Sequence, residues 1–289
     1  MSFADIIKLC RVHQWVKNGF IFLPAFFGQA LNAENGVSLL LGFLCFSFLA
    51  SAVYIFNDII DAPDDRLHNE KKDRPIAAGK VSVGTAYGIS ALLLATSLAG
   101  AFMINQLFLV ACVVYLIQNL LYSTWLKKFA LIDITIISLG FLIRLFSGGV
   151  IADVPISNWM YIMAFLLAML LALGKRRDDL LILKNEGTEV RKAVRGYSLE
   201  FVNIISVMLS AITVVAYIMY TLSPEVIARV GNSHVYVTSL FVFLGVLRYL
   251  QLALVYENSG SPTLILLKDN PTRLFVLAWL LTFGYLLYF

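Results

Sequence analysis

Residues 57–65 read Asn57-Asp58-Ile59-Ile60-Asp61-Ala62-Pro63-Asp64-Asp65 and follow directly on the apolar run 37–56. Carboxylates gathered at the mouth of a membrane helix make a place for a metal rather than for packing. If the helix continues through this stretch, Asp58, Asp61 and Asp65 follow i, i+3, i+7 and fall within ~60° of one another on one face. Adjacent carboxylates repel, and they tolerate each other when a hard divalent cation such as Mg2+, itself holding a diphosphate, supplies the missing positive charge. Asp58 and Asp61 are expected to be the principal metal ligands, with Asn57 and Asp65 assisting. A solvated acidic helix end is the bland alternative, and Pro63 is a residue that can kink the helix and re-aim Asp64 and Asp65.

Hydrophobic residues make up 60% of the 289-residue chain and charged residues only 14%, with a mean hydropathy of +0.83. That composition excludes a soluble domain. Apolar runs of 18 or more residues recur between short polar stretches, and no polar block is left over for a second domain. The expected fold is therefore an all-α integral membrane protein, a single domain over residues 1–289, because in lipid only helices or closed barrels satisfy the backbone. Nine spans are expected at approximately 18–33, 37–59, 82–104, 106–124, 130–151, 158–174, 199–222, 233–256 and 271–289. Residues 1–17 are polar-rich and show no signal-peptide pattern, so the first helix is expected to act as its own uncleaved anchor. Cys10, Cys45 and Cys112 are scattered without CxxC pairing, which points to structural thiols rather than a zinc site or a disulfide framework.

The basic residues are placed asymmetrically. Of the 22 Lys and Arg, three precede the first span, five lie between the second and third, two between the fourth and fifth, seven between the sixth and seventh, and two follow the eighth. The opposite side holds only Arg229. By the positive-inside rule the rich side is cytoplasmic, which puts the N-terminus inside and Phe289 outside; the expected location is the inner (plasma) membrane of a bacterial-type cell. Orientation alone needs some of these bases, but not five in 66–80 and seven in 175–195. Arg144 and Arg248 fall inside apolar spans, where an arginine costs ~2.5–3.5 kcal/mol on insertion scales and normally faces a cavity or a partner, or snorkels. Arg144 lies three turns beyond Asp133 on the same face, ~16 Å away and out of reach of a direct pair.

The two basic loops are about 58–80 and 175–197. In the first, the carboxylates are followed by Arg66, His68, Lys71, Lys72, Arg74 and Pro75-Ile76-Ala77-Ala78-Gly79. Acid followed by base suits a metal-bound polyphosphate, with arginine able to neutralise the remaining charge bidentately. His68 has no partner at metal-ligand spacing and reads as a loop hydrogen-bonder. The second loop carries Gly174-Lys175-Arg176-Arg177-Asp178-Asp179, then Arg191, Lys192, Arg195 and Tyr197. Phosphate binding is one reading. A topogenic signal, an anionic-lipid contact and a Lys175–Asp179 surface ion pair are the others. Nucleic acid is not an expected partner, since the bases lack interleaved stacking aromatics in a soluble module.

The NDxxDxxxD pattern met by Asn57, Asp58, Asp61 and Asp65 resembles the first signature of the UbiA superfamily of intramembrane prenyltransferases. Members that join isoprenoid diphosphates to aromatic acceptors carry a second DxxxD motif, whereas here the positions four beyond Asp178 and Asp179 are Ile182 and Leu183. The chain is more similar to the phosphoribosyltransferase branch, whose members act on decaprenyl phosphate. The matching stretches are His13-Gln14-Trp15-Val16-Lys17-Asn18, the KxxRPIAAG pattern from Lys71 to Gly79, and FLIR ending at Arg144 with Gly148-Gly149-Val150 after it. Gly174-Lys175-Arg176 with Asp179 and Leu180, Arg191-Lys192 with Tyr197, and Leu247-Arg248-Tyr249 complete the set. Asn69 replaces a proline of that branch, and Asp179 stands where glutamate is common.

The resemblance implies transfer of a 5-phosphoribosyl group from phosphoribosyl pyrophosphate to a polyprenyl phosphate, dependent on Mg2+, with release of diphosphate. It implies Asp58, Asp61, Lys17 and Arg74 as catalytic residues. It further implies that Asn57, Lys71, Lys175, Arg176, Asp179, Arg191 and Tyr197 bind the donor together with Lys17 and Arg74, in a pocket shared by the two loops and the N-terminal segment, with Arg144 and Arg248 deeper. A UbiA-type aromatic prenyltransferase is the alternative enzyme. A polyprenyl-phosphate carrier or transporter is the non-catalytic one, disfavoured because the polar residues concentrate on one membrane face and no repeated half is evident. A homo-oligomer is left open.

Overall fold

The computed structural model describes residues 2–66, 71–187, 192–258, 265 and 268–288, and among these there are helices and turns but no strand. The helices are α1 (Phe3–Leu9), α2 (Leu23–Phe27), α3 (Ala33–Asp65), α4 (Val83–Ile104), α5 (Gln106–Thr124) and α6 (Ile132–Ala152). They continue with α7 (Asn158–Glu186), α8 (Leu199–Leu222), α9 (Pro224–Val230), α10 (Ser239–Leu254) and α11 (Asn270–Tyr288), and a 3-10 segment, Val12–Phe22, precedes α2. Polar residues set the starts of the long helices. The side chains of Asn32, Ser82, Asn105, Ser157 and Ser198 each accept a hydrogen bond from a first-turn amide that has no partner within the helix.

Among the described residues, seven helices are long and apolar enough to cross a membrane: Ala33–Asp65, Val83–Ile104, Gln106–Thr124, Ile132–Ala152, Asn158–Asn185, Leu199–Leu222 and Ser233–Leu254. Apolar side chains such as Leu92 and Met103 stand exposed along them, as they do where the surrounding solvent is hydrocarbon, and the chain is an integral membrane protein.

The expected first span, 18–33, takes a different form. It is divided between the end of the 3-10 segment and the five-residue α2, and the chain turns at Gly28. Pro24 lacks an amide hydrogen and sits at the start of α2, where none is needed. At Gly28 a Cβ would lie 2.4 Å from Val154 Cγ1, so the close approach of chain to chain there requires glycine.

The chain divides into two compact units, Met1–Leu126 with Ile143–Pro155, and Lys127–Leu142 with Ile156–Phe289, so α6 contributes to both. The first unit buries Ile21, Leu39, Phe46, Leu49, Phe108 and Tyr115 in one cluster. A second cluster in that unit, with Leu9, Ile55, Ala62, Ile76 and Val81, lies under the polar end of α3. The core of the second unit includes Ile134, Leu170, Leu173, Tyr197, Val202 and Leu209.

Candidate functional site

In the first unit α3 runs past Pro63 to Asp65. Asp58 and Asp65 are buried, Asp61 is half-buried and Asp64 is exposed. Arg74 spans two of the carboxylates through one nitrogen, Nη1, at 3.0 Å from Asp58 Oδ1 and 2.6 Å from Asp65 Oδ2. Arg11 pairs with the same Asp58 oxygen. Asn57 donates from Nδ2 to Asp61 Oδ2 at 2.9 Å.

The Pro75–Gly79 stretch aims Arg74. The amides of Lys80 and Val81 both return to the Pro75 carbonyl, at 2.9 and 3.0 Å. Gly79 takes the left-handed conformation this turn needs, at φ +71. Ile76, 2% exposed, is plugged into the core beside α3. A buried apolar side chain therefore pins the loop two residues beyond Arg74, and the guanidinium is held over the end of α3.

The N-terminal segment is fastened along α3 by polar contacts at helical spacing. Trp15 Nε1 donates to Ser51 Oγ at 3.0 Å, Ser51 donates in turn to the Cys10 carbonyl at 2.7 Å, and Asn18 Nδ2 donates to Ser47 Oγ at 2.9 Å. Ser47 and Ser51 are one turn apart on one face. Asn18 Oδ1 also accepts from Arg144 Nε at 2.7 Å, and Arg144 Nη2 reaches the Tyr115 hydroxyl at 3.0 Å. The Arg144 guanidinium stacks 4.9 and 4.8 Å from the Phe46 and Tyr115 ring centroids. A buried arginine on an apolar helix is thus met by an amide, a phenol and two ring faces, all within the first unit. Lys17 lies half-buried on the same 3-10 segment. Gly148 is explained by packing as well: a Cβ there would lie 2.0 Å from the Ile21 carbonyl oxygen.

In the second unit Arg176 is buried and held by two carboxylates. Its Nε donates to Asp133 Oδ2 at 2.5 Å and its Nη1 to Asp179 Oδ2 at 2.9 Å. The Tyr197 hydroxyl donates to Asp133 Oδ1 at 2.7 Å and accepts from the Leu131 amide at 2.7 Å. Burial raises the Tyr197 phenol above its ordinary pKa, so it stays protonated to donate. Arg177 is buried too; its Nε donates to Asn203 Oδ1 at 2.9 Å, while its Nη1 and the Tyr249 hydroxyl are buried without a hydrogen-bond partner among the described residues. Lys175 is half-buried.

Arg248, on α10, grips Asp269 with Nε at 3.1 Å and Nη2 at 2.7 Å and reaches Gln251 Oε1 with Nη1 at 2.6 Å. Hydrogen bonding from Arg248, followed by Thr272, holds the Asp269 carboxyl well below the usual carboxylate range. The pair joins the end of α10 to the start of α11. Arg191, expected in the donor site, and His68 lie outside the described residues.

Arg11, Tyr115 and Asn203 are not singled out by any sequence pattern, and Asp133 enters the sequence pattern only as the reference point for Arg144. For Asp133 a signal existed, since a lone carboxylate opening an apolar span needs a partner. For Arg11, one base among three near the N-terminus, there was none.

The donor chemistry at the end of α3 fits Mg2+. Among the described residues no three carboxylate, imidazole or thiol groups converge as a closed cage. Mg2+ rarely takes one, being held by one or two carboxylates together with waters and substrate phosphate oxygens. Asp58, Asp61 and the Asn57 amide oxygen are the hard donors available for that role.

The profile of the UbiA prenyltransferase family matches residues 21–181. The chain is 32% identical to the decaprenyl-phosphate phosphoribosyltransferase of Mycobacterium tuberculosis, over 97% of this chain and 93% of that protein. It is 30% identical to the decaprenyl-phosphate phosphoribosyltransferase of Mycolicibacterium smegmatis, over 99% of this chain and 93% of that protein. Among solved structures, a UbiA homologue from Archaeoglobus fulgidus bound to GPP and Mg2+ matches with a TM-score of 0.73 at 24% identity, covering 97% of this chain and 98% of the other. The fold is shared with that homologue, the profile covers more than half of the sequence, and the chain belongs to the UbiA prenyltransferase family.

Proposed function

We propose that the protein transfers a 5-phosphoribosyl group from phosphoribosyl pyrophosphate to a polyprenyl phosphate and releases diphosphate, with Mg2+ as cofactor. The observation that carries this reading is the similarity, along nearly the whole chain, to decaprenyl-phosphate phosphoribosyltransferases. The residues support it physically. A donor with a diphosphate and a distant monophosphate calls for carboxylates that hold a metal and for bases beyond them. A prenyl diphosphate and an uncharged aromatic ring call for fewer bases.

Asp58 and Asp61, assisted by Asn57 and Asp65, would hold the cation. Bound there, Mg2+ would offset the charge of the departing diphosphate. Lys17, Lys71 and Arg74 of the first unit are proposed to contact donor phosphates, and Lys175 and Arg191 of the second carry the same proposal. Arg176 holds Asp179 and Asp133, Tyr197 holds Asp133 as well, and these ties would brace the helix that carries Lys175. Arg144 and Arg248 enter the reading through the ties they make to Asn18 and to Asp269. In the reaction the bond from ribose C1 to the diphosphate oxygen breaks with its electron pair leaving on diphosphate. The sugar gains oxocarbenium-like charge, and a lipid phosphate oxygen forms the new bond to C1. No general base is required, because a phosphate dianion is already nucleophilic at neutral pH.

The experiment compares donors on the purified protein with Mg2+. Diphosphate release is expected from phosphoribosyl pyrophosphate only when polyprenyl phosphate is present. Arg74→Ala and Lys175→Ala should each weaken donor use at least about tenfold, since a charge-assisted contact is worth ~1.5–3 kcal/mol. Prenylation of an aromatic acceptor from a prenyl diphosphate, with no release from phosphoribosyl pyrophosphate, would make the protein an aromatic prenyltransferase instead.

The same proposal includes nine spans, with the N-terminus and both basic loops cytoplasmic and Phe289 outside the plasma membrane. Lys72 is exposed, so a Lys72→Cys variant should react with a membrane-impermeant thiol reagent in inverted vesicles and stay unlabelled in intact cells. Labelling from outside would reverse the topology.

A further inference from the structure

We propose that Arg11 is a diphosphate-binding residue of the α3 site, parked on Asp58 until a metal-bound diphosphate takes its place there. This rests on the proposed function only in taking a diphosphate to be bound with a divalent cation at that site.

The backbone directs Arg11 to this position. α1 ends at Cys10, whose carbonyl is tied to Ser51 of α3. Arg11 follows at φ 48, ψ 46, in the left-handed region where a residue with a Cβ is uncommon. Conformations of this kind persist where the surroundings fix them, and here Cys10 and Trp15 are both held to Ser51 on either side. The turn sends the side chain along α3, with the guanidinium 5.2 Å from the Tyr54 ring centroid and paired with Asp58 one turn further on.

Exposure and charge give the pair its meaning. The Asp58 side chain is 3% exposed, whereas Arg11 and Arg74, which contact it, are 21% and 26% exposed. Both guanidinium groups sit on Asp58 Oδ1, so a cation that takes this oxygen displaces at least one of them. Without a metal, Asp58 and Asp65 are balanced by Arg11 and Arg74. When a divalent cation arrives carrying a diphosphate, Asp58 gains a new positive partner and the diphosphate brings the nearest new anion. Arg11 then exchanges a carboxylate oxygen for phosphate oxygens, to which a guanidinium can bind through two parallel hydrogen bonds.

Removing Arg11 therefore acts in opposite directions on two ligands, which loss of a merely structural residue does not do. The test uses the full-length protein in nanodiscs, with Mn2+ as the probe of the cation site, read by electron paramagnetic resonance, and inorganic diphosphate as the probe of the anion site, read by calorimetry. For Arg11→Ala, Mn2+ alone should bind at least about threefold tighter, because its competitor is gone. Inorganic diphosphate in the presence of Mn2+ should bind roughly tenfold weaker. Arg11→Lys, which keeps the charge, should fall between the variant and the wild type on both readouts. Arg11→Gln replaces Arg11→Ala if the alanine variant melts early. Unchanged or weaker Mn2+ binding in the charge-removing variant, or diphosphate binding within about twofold of wild type, overturns the proposal. Inorganic diphosphate is common to any diphosphate donor. The paired shift in a protein that does not consume phosphoribosyl pyrophosphate would therefore refute the proposed donor and leave Arg11 in its role.

Discussion

Asp58→Ala and Asp61→Ala are each expected to lower kcat/KM by about a thousandfold or more, a loss of ~4 kcal/mol of transition-state stabilisation. The loss is large because a metal ligand acts on the charge that develops as diphosphate departs. The two variants should differ in stability. Asp58 is buried beneath two guanidinium groups, so Asp58→Ala strips both of a partner and should also lower the melting temperature. Asp61 is half-buried and accepts from Asn57 on its own helix, so Asp61→Ala should lower the melting temperature less than Asp58→Ala does. Asp64, next in line but exposed, serves as the control: Asp64→Ala should keep activity within about twofold, as for a surface substitution. Diphosphate release in Mg2+ from phosphoribosyl pyrophosphate and polyprenyl phosphate is the measurement. Near-normal turnover in the double variant Asp58→Ala, Asp61→Ala would move the metal site elsewhere.

What could be read from the sequence was local. The apolar runs, the polar residues that cap them and the i, i+3, i+7 spacing of Asp58, Asp61 and Asp65 need only helical periodicity, and α3 carries that spacing through Pro63. The segment 18–33 shows where hydropathy stops being informative. An apolar stretch divided between a 3-10 segment and a short helix and an apolar stretch that runs as one helix have the same composition, and the difference lies in Asn18 and Trp15 finding Ser47 and Ser51 on another helix. The motif letters Trp15, Asn18 and Arg144 marked a family before they had a physical reason. Their reason is a network whose members are up to 126 residues apart, and spacing along one helix cannot reveal it. The same limit applies to Asp179. Arg176 binds it through Nη1 and turns Nε to Asp133, 43 residues away.

Arg176→Ala is accordingly expected to destabilise the protein by ~3–5 kcal/mol, the cost of leaving a buried charge without its partner. Arg176 and Asp133 are each 1% exposed, and Asp179 is 10% exposed, so water cannot take over the role of the guanidinium without the helices opening. Asp133→Asn should cost a comparable amount by the same reasoning. Tyr197→Phe should cost only ~1 kcal/mol, because it removes one hydrogen bond to Asp133 and one acceptor from the Leu131 amide while Arg176 still neutralises the carboxylate. Replacing Arg176, Asp133 and Asp179 together by Met, Leu and Leu should recover much of the loss, since apolar residues of similar volume leave no buried charge behind. This pattern separates an internal brace from a direct contact with the donor. A residue that touches only substrate would, on truncation, leave the melting temperature of the ligand-free protein where it was and raise the KM for the donor. Thermal and denaturant melting of the four variants, each with and without phosphoribosyl pyrophosphate and Mg2+, reads both quantities. An Arg176→Ala protein that melts with the wild type and shows at least tenfold weaker donor binding would assign Arg176 to the substrate and not to the frame that holds α7 to α6.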